Sequence, residues 1–211
     1  MTLPLTVVLA TRNPGKAREF ARLLGGAFAL RTVPEGISLP EETGKTFAEN
    51  ARLKADKVFG ALQNQAAVLA DDSGLQVAAL GGKPGVQSAR YAGDHATDEE
   101  NVQKLLVALS AHAEREARFV CALCFLLPPA QPEPGVNPRA FTVEGLLEGT
   151  ITGFPRGRDG FGYDPVFEPA GWCVTLAEAT PPDKDAVSHR GAAVRALLAC
   201  LREDGVISVG S

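Results

Sequence analysis

The chain has 211 residues, of which 45% are apolar and 22% charged, and its formal net charge is −4. This length is sufficient for one large hydrophobic core or for two lobes, and the composition is that of an ordinary globular protein. The negative charge gives no electrostatic reason to bind nucleic acid, and no apolar run reaches the roughly 20 residues that span a bilayer.

The cysteines and the amino-terminal residues indicate the cellular compartment of the protein. The amino terminus lacks the basic region and cleavage site of a signal peptide, and the four cysteines do not form a disulfide framework in a chain of this length. Cys121 and Cys124 have the spacing of a metal-binding pair, but they lie in a predicted strand, where residues three apart point to opposite faces. We therefore expect reduced thiols and a cytoplasmic protein, with neither a membrane nor a nucleic acid as partner.

The first segment predicts a strand, a polar loop and a helix. Leu5 to Ala10 is a short β-branched run typical of a buried strand, and Ala17 to Leu24 has apolar residues at helical spacing. Asn13 is a plausible N-cap, with Pro14 at the first helical position. The helix N-terminus and Lys16 together make an anion site, although an ordinary turn with a surface lysine explains the same residues.

A second strand and a second helix are predicted next. Residues 27–33 could form the strand, and Thr46 with Glu49 predicts a capping box that opens a helix reaching about Leu62. Glu49 therefore has a sufficient structural role in the cap.

Polar residues around this helix are candidate site residues. Glu41 and Glu42 precede the helix and are free to act as metal ligands. Asn50 and Lys54 stand four apart, so both could face a cleft, although a solvated helix face explains this spacing equally well.

Two adjacent carboxylates follow an apolar run at residues 68–70, which predicts the end of a buried strand. An ionised carboxylate costs several kcal/mol to bury unless it is paired or bound to a metal. Asp71 and Asp72 therefore favour a cation, and hard oxygen ligands of this kind suit Mg²⁺. The alternative is a turn in which Asp71 is a cap and Asp72 is solvated.

The middle of the chain predicts four further elements. Leu75 to Leu80 predicts a short strand, and a capping box at Thr97 opens a helix from about Asp98 to Ser110. Residues 119–127 and 141–151 predict two strands of a long hairpin. The proline-rich segment between them, Pro128 to Pro138, is interpreted as a surface insertion in a single domain of residues 1–211.

Glycines surround an aromatic residue in the loop from Pro155 to Pro165. Gly160 and Gly162 remove bulk on either side of Phe161, so that a ligand can approach its ring closely. Such a ring is a good stacking surface for a base, although Phe161 could equally fill an edge of the core.

The last helix is predicted from Ala192 to Leu201, with Ser188 as its cap. His189 and Arg190 then lie in the first turn, where cations oppose the helix dipole. This placement suggests that they face a negative or hydrogen-bonding ligand, and surface charge is the alternative.

Taken together, the motifs TRNPGK, EETGKTFAENARLKA, ADDSGL, GVQSARYAG, GFGYDPVF and K-x-x-x-SHR, in this order from residue 11 to residue 191, resemble the inosine triphosphate/xanthosine triphosphate pyrophosphatase family. Enzymes of this family hydrolyse deaminated purine nucleotides such as ITP, dITP and XTP to the monophosphate and pyrophosphate. The resemblance implies an α/β fold with an elongated mixed β-sheet, flanking helices and two lobes around a central nucleotide-binding cleft. It also implies a homodimer.

The resemblance assigns a role to each motif residue. It implies that Asp72 and Lys16 are catalytic, with Asp72 as the proton acceptor, and that Glu41 and Asp72 ligate Mg²⁺. Phe161 would stack on the base. The other implied substrate-binding residues are Thr11, Arg12, Asn13, Pro14, Gly15 and Lys16 for the triphosphate, Ser73 beside Asp72, Gly162, Tyr163 and Asp164 in the wall of the base site, and Lys184, His189 and Arg190 at the base edge.

Two departures and two rival functions accompany this interpretation. Asp185 stands where the family pattern leads us to expect Asn, and the proline-rich insertion is longer than expected. The rivals are a pyrophosphatase for other modified nucleotides and a non-catalytic nucleotide-binding regulator. A regulator would need no proton acceptor beside its metal, so the sequence favours an enzyme.

Overall fold

A computed structural model describes residues 5–129 and 137–207, so most of the proline-rich insertion predicted at Pro128 to Pro138 lies outside the described residues. The predicted α/β class is confirmed, because the described residues form one mixed sheet with α-helices between and after its strands. The strands are β1 Thr6–Leu9, β2 Ala29–Thr32, β3 Ala67–Val77, β4 Glu116–Leu127, β5 Arg139–Ile151 and β6 Phe167–Pro169. The α-helices are α1 Pro14–Leu23, α2 Phe47–Ala61, α3 Asp98–Ala108, α4 Pro181–Val187 and α5 His189–Glu203.

The strand order in the sheet is β2-β1-β3-β4-β5-β6. β1 pairs in parallel with both β2 and β3, with Val8 opposite Arg31 on one side and opposite Val68 on the other. β6 pairs antiparallel with β5, which makes the sheet mixed. β4 and β5 are neighbours, as predicted for consecutive strands of a hairpin.

The chain forms two compact units. Unit 1 comprises Met1–Asp72, Ala122–Gly145 and Ala193–Ser211, and unit 2 comprises Ser73–Cys121 and Leu146–Ala192. Each of the three long strands, β3, β4 and β5, contributes residues to both units.

Unit 1 is built on β1 and the two helices that follow it. Val7 and Phe20 are fully buried, and Phe28 stacks on Phe125 with ring centroids 5.8 Å apart. The predicted caps are confirmed: Asn13 accepts a hydrogen bond from the backbone N–H of Lys16, with Pro14 in the first turn of α1. α2 begins with the predicted capping box.

Unit 2 has its own apolar core, in which Leu105 of α3 and Phe167 of β6 are fully buried. The capping box at Thr97 and the helix that it opens are confirmed. Ser188 caps α5 as predicted, because its side chain accepts a hydrogen bond from the backbone N–H of Gly191 at 3.0 Å.

The strand boundaries predicted around Asp71 were wrong. β3 continues to Val77, so Asp71 and Asp72 lie within a strand, and residues 78–80 form a 3₁₀ turn rather than part of a second strand. The reason lies at Gly74, where a Cβ would collide with the Ser88 side chain and the Gly85 carbonyl oxygen. Gly74 thus admits a neighbouring segment, and Ser88 Oγ accepts a hydrogen bond from the Leu75 N–H at 2.8 Å.

One short strand and one short α-helix among the described residues were not predicted. β6 has three residues, which is too few to show periodicity. α4 has seven residues and carries Lys184, and it did leave a signal, because Thr180 caps it and Pro181 follows at its first position.

The cysteines agree with the prediction of free thiols. None of the four is in a disulfide, with Cys121 and Cys124 buried in β4 and Cys173 exposed. Within the described ranges, 5–129 and 137–207, no helix is both long and apolar enough to cross a membrane.

Candidate active site

Lys16 lies at the N-terminus of α1 and points to β3. Its Nζ is 2.7 Å from Oδ2 of Asp71, a side chain that is only 1% exposed. The Lys16 side chain is itself 16% exposed, so the surface-lysine alternative is wrong. Asn13 orients this turn through its cap on the Lys16 N–H at 3.0 Å, while Thr11 Oγ1 accepts from the Asn13 N–H at 3.2 Å.

Arg12 supports a neighbouring loop. Its guanidinium donates to the carbonyl oxygen of Ile37 at 2.7 Å and to that of Pro34 at 3.3 Å. The structure therefore gives Arg12 a role in fixing the segment after β2, and its predicted contact with phosphate stays a prediction.

Asp72 is the centre of a buried hydrogen-bond network in unit 1. It is 4% exposed, and its Oδ2 accepts from Asn50 Nδ2 at 3.0 Å. Its Oδ1 lies 3.4 Å from Lys54 Nζ, which also donates to Glu42 Oε1 at 2.8 Å. Asn50 in turn accepts from the Gly44 N–H at 2.7 Å, which ties the loop before α2 to the network.

The solvated-face alternative for α2 is therefore wrong, because Asn50 is fully buried and Lys54 is 5% exposed. We call Lys16, Glu42, Lys54, Asp71 and Asp72 the carboxylate–lysine cluster. The solvated turn proposed as an alternative for Asp71 and Asp72 is wrong for the same reason: both side chains are buried in β3.

Burial and charge shift the pKa values in this cluster. Burial raises the pKa of Asp72, and the nearby Lys54 ammonium opposes this shift only in part. Burial alone would lower the pKa of Lys54, but Asp71, Asp72 and Glu42 together outweigh it and raise that pKa. Asp72 is consequently more basic than an ordinary carboxylate, and Lys54 stays charged at neutral pH.

The carboxylates of Asp72, Glu41 and Glu42 are oxygen ligands of the kind that suits a divalent cation. Oδ1 of Asp72 lies 3.4 Å from Lys54 Nζ, and a carboxylate oxygen can accept contacts from more than one cation or donor. Glu41 is exposed, and within the described residues no ion pair involves it, whereas Glu42 is paired with Lys54. No group of three or more potential ligands is found in the described part of the chain. A two-carboxylate site that shares the ion with substrate phosphates is the usual arrangement for Mg²⁺.

A second group of site residues surrounds Phe161 in unit 2. The ring is half-buried, so it does not fill the core. Lys184 Nζ lies 5.1 Å from the ring centroid and the Arg190 guanidinium carbon 4.9 Å, both within cation–π range. Arg190 also donates to Ser73 Oγ at 2.9 Å. We call Ser73, Phe161, Asp164, Lys184 and Arg190 the aromatic–cation cluster.

The two side chains that follow Gly162 face inward. Tyr163 is 4% exposed and its hydroxyl donates to the Ser88 carbonyl oxygen at 2.8 Å. Asp164 is 3% exposed, and its Oδ2 accepts from Lys184 Nζ at 2.6 Å and from the Phe161 N–H at 2.8 Å. Both side chains thus support the loop, and their predicted contact with substrate stays a prediction.

His189 and Arg190 are buried in the first turn of α5, at 1% and 5% exposure, so the surface-charge alternative is wrong. The His189 ring stacks on Phe119 with centroids 4.6 Å apart and planes 9° apart. Its ring is thereby fixed in unit 2, and its predicted contact with the base edge stays a prediction.

Two contributions to these clusters were missed by sequence reasoning. Glu42 was weighed as a metal ligand, not as the partner of Lys54, although position 42 was already singled out. Asp98 contacts the Gly162 N–H at 2.6 Å across 64 positions, and no sequence signal indicates such a contact.

Comparison with known proteins identifies relatives along almost the whole chain. The model of the Ham1 family matches residues 7–200. A dITP/XTP pyrophosphatase of Yersinia pestis is 46% identical over 202 residues, which cover 93% of this chain and 98% of that protein. One of Shigella flexneri is 48% identical over 204 residues, again covering 93% and 98%. The solved structure of a HAM1 protein from Coxiella burnetii superposes with a TM-score of 0.79 at 41% identity, covering 94% of this chain and 99% of that one.

Identities of 41% to 48% along almost the whole chain exceed what a shared fold alone would give. The predicted resemblance is confirmed: the chain belongs to the Ham1 family.

Proposed function

We propose that this protein hydrolyses deaminated purine nucleoside triphosphates, such as ITP, dITP and XTP, to the monophosphate and pyrophosphate. The observation that carries the proposal is the similarity over 93% of the chain to relatives named dITP/XTP pyrophosphatase. The arrangement of Asp72 supports it, because a buried carboxylate with a raised pKa is suited to accept a proton.

The residues of unit 1 would act on the phosphates. The N-terminus of α1 presents backbone N–H groups and a positive dipole end, and Lys16 adds a cation there. Asp72 would accept the proton of the attacking water, while Asn50 and Lys54 hold its carboxylate in one orientation. Breaking the bond between the α- and β-phosphates then releases pyrophosphate.

Mg²⁺ is the metal that we propose for this site, with Asp72 and Glu41 as its protein ligands. When bound, it would neutralise charge on the phosphates and on the departing pyrophosphate. Glu42 is the alternative second ligand, although its carboxylate is already neutralised by Lys54.

The residues of unit 2 would recognise the base. Phe161 would stack on the purine, and Lys184 and Arg190 are donors beside its ring. His189 is the third candidate donor. A 6-oxo group accepts from such donors, whereas the 6-amino group of adenine leaves them unpaired. A site built in this way can discriminate by roughly 10⁴.

A turnover panel of ITP, XTP, dITP, GTP, ATP and dUTP tests the proposed substrate class. We expect the three deaminated purine nucleotides to have the highest kcat/KM. If GTP or dUTP is the best substrate, the purine-deamination assignment is wrong and a pyrophosphatase for other nucleotides remains.

Paired amide variants test the metal proposal. Glu41→Gln should raise the Mg²⁺ concentration for half-maximal activity about tenfold, because it removes one of two ionic ligands. Glu42→Gln is the matched comparison, since it is the adjacent residue and its pairing partner is Lys54. A larger effect in Glu42→Gln would transfer the ligand role to Glu42. Full activity after chelation of divalent ions would refute the proposal that hydrolysis requires Mg²⁺.

A cytoplasmic homodimer is the assembly that we propose. Light scattering of the purified chain across concentrations checks this, with a mass of twice the 22.1 kDa chain expected.

A further inference from the structure

The loop that carries Phe161 is held at two consecutive backbone amides by two carboxylates. Asp164 Oδ2 accepts from the Phe161 N–H at 2.8 Å, and Asp98 Oδ2 accepts from the Gly162 N–H at 2.6 Å. Hydrogen bonds to an ionised acceptor are stronger than neutral ones. The segment that presents the aromatic ring is thus fixed from two sides.

The backbone of this loop needs such support. Gly160 has φ +80° and Gly162 has φ +63°, a conformation that only glycine adopts readily. Glycine loses more conformational freedom on ordering than any other residue, so a segment flanked by two of them is costly to order. A Cβ at position 160 would also collide with the Asp164 carboxylate, which shows that the loop packs closely against Asp164.

Asp164 connects the loop to the cation beside the ring. The same Oδ2 that accepts from Phe161 also binds Lys184 Nζ at 2.6 Å, and that ammonium lies 5.1 Å from the Phe161 ring. One buried carboxylate therefore fixes the relative positions of the stacking ring and a base-edge donor.

Asp98 holds the other amide from a separate element. It is the first residue of α3, whose N-terminus is fixed by the capping box of Thr97 and Glu100. Asn101 of the same helix accepts from the Ala92 N–H at 2.7 Å and donates to the Ala89 carbonyl oxygen at 3.2 Å. The N-terminus of α3, which carries Asp98, is consequently well ordered.

We propose that Asp98 is a positioning residue for base recognition: with Asp164, it fixes the Phe161–Gly162 backbone so that the ring is presented to the purine in one orientation. The proposal rests on the proposed function for the identity of the base. It assigns an effect on substrate binding to an exposed helix residue that lies outside the family motifs of the sequence.

Kinetics with three variants test the proposal. Asp98→Ala removes the acceptor, Asp98→Asn keeps an acceptor oxygen, and Glu99→Ala removes the neighbouring exposed carboxylate in the same helical turn. Each is assayed for ITP turnover and for inhibition by inorganic triphosphate, which has no base.

We expect Asp98→Ala to raise KM for ITP roughly three- to tenfold, as loss of one hydrogen bond to a charged group predicts. Its kcat and its inhibition constant for inorganic triphosphate should stay at the wild-type values. Asp98→Asn should recover KM to within about twofold of wild type. Glu99→Ala should match wild type throughout.

Equal behaviour of Asp98→Ala and Glu99→Ala would overturn the proposal. Weaker binding of both ITP and inorganic triphosphate in Asp98→Ala would also overturn it, since that indicates general damage to the protein. Equal increases of KM for ITP in Asp98→Ala and Asp98→Asn would overturn it as well.

Amide hydrogen exchange of the peptide covering residues 160–164 measures the anchoring without any substrate. Exchange should be faster in Asp98→Ala than in Glu99→Ala, and equal rates would refute the anchor. If the wild-type protein does not hydrolyse ITP, the proposed function has failed, and the exchange comparison still decides whether Asp98 holds the loop.

Discussion

Burial and hydrogen bonding together set the chemistry of Asp72, the proton acceptor that we propose. Burial raises its pKa, while Asn50 donates to one of its oxygens and Lys54 lies 3.4 Å from the other, so that the plane of the carboxylate is fixed. A solvated aspartate would have neither property. The distinction depends on contacts with α2, and those contacts are the structural reason for our assignment of the proton acceptor.

Asp72→Asn should lower kcat for ITP by at least about 10²-fold, because an amide cannot accept the proton of the attacking water. Because Asp72 is also a proposed metal ligand, nucleotide binding is measured by calorimetry without added divalent ion, and it should change only a few-fold. Since burial makes the ionised form of Asp72 less favourable than it is in water, the neutral amide should cost little stability.

The matched control is Asp56→Asn, which removes an exposed carboxylate of α2 that pairs with Arg52. It should retain wild-type activity. If Asp72→Asn retained near-full turnover as well, another group must accept the proton.

Lys54→Met should lower the free energy of unfolding by about 2–3 kcal/mol, because it leaves the carboxylates of Glu42 and Asp72 without their shared ammonium. Urea denaturation at neutral pH measures this loss. The loss should shrink as the pH falls toward about 4, where protonated carboxyl groups need no cationic partner.

Lys57→Met is the control, since Lys57 is exposed on the same helix. Its effect should stay within about 0.5 kcal/mol. Equal stability of the two variants would show that the buried ammonium contributes nothing.

At the scale of elements, β3 explains how acidic residues come to lie within a buried strand. Its glycine at position 74 has no side chain, so the segment containing Gly85 and Ser88 can pack directly against the strand. The backbone therefore stays extended beyond Asp72, so that Asp72 and Ser73 are consecutive residues of one strand.

Gly74→Ala should destabilise the protein by about 1–3 kcal/mol, the usual cost of forcing an extra group into a packed core. Gly60→Ala provides the opposite case, because Gly60 lies in α2 with no atom near the position of a Cβ. It should stabilise the protein by about 1 kcal/mol through helix propensity. Thermal unfolding of both variants checks the difference, and a neutral Gly74→Ala would refute the close approach.

The local signals of the sequence predicted most elements, whereas tertiary contacts decided the rest. Thr46 and Thr97 predicted the starts of α2 and α3, because a capping box is completed within four residues. The continuation of β3 through Asp72 depends on Ser88, a residue distant in the chain, and could not be predicted from strand periodicity. The anchoring of Gly162 by Asp98 depends in the same way on a contact across 64 positions.

At the scale of the whole molecule, the chain forms two compact units, and each contains one of the two clusters described above. The carboxylate–lysine cluster in unit 1 has the chemistry required for phosphate and water. The aromatic–cation cluster in unit 2 has the chemistry required for a base. A nucleotide substrate needs both kinds of chemistry, and this agrees with the activity named for relatives that match 93% of the chain.

Mass analysis of the products of a single ITP incubation tests the central claim most directly. Our account predicts IMP and pyrophosphate in equal amounts, because water attacks at the α-phosphate and pyrophosphate leaves intact. IDP and inorganic phosphate would contradict it, since the bond between the β- and γ-phosphates would then be the one that is broken.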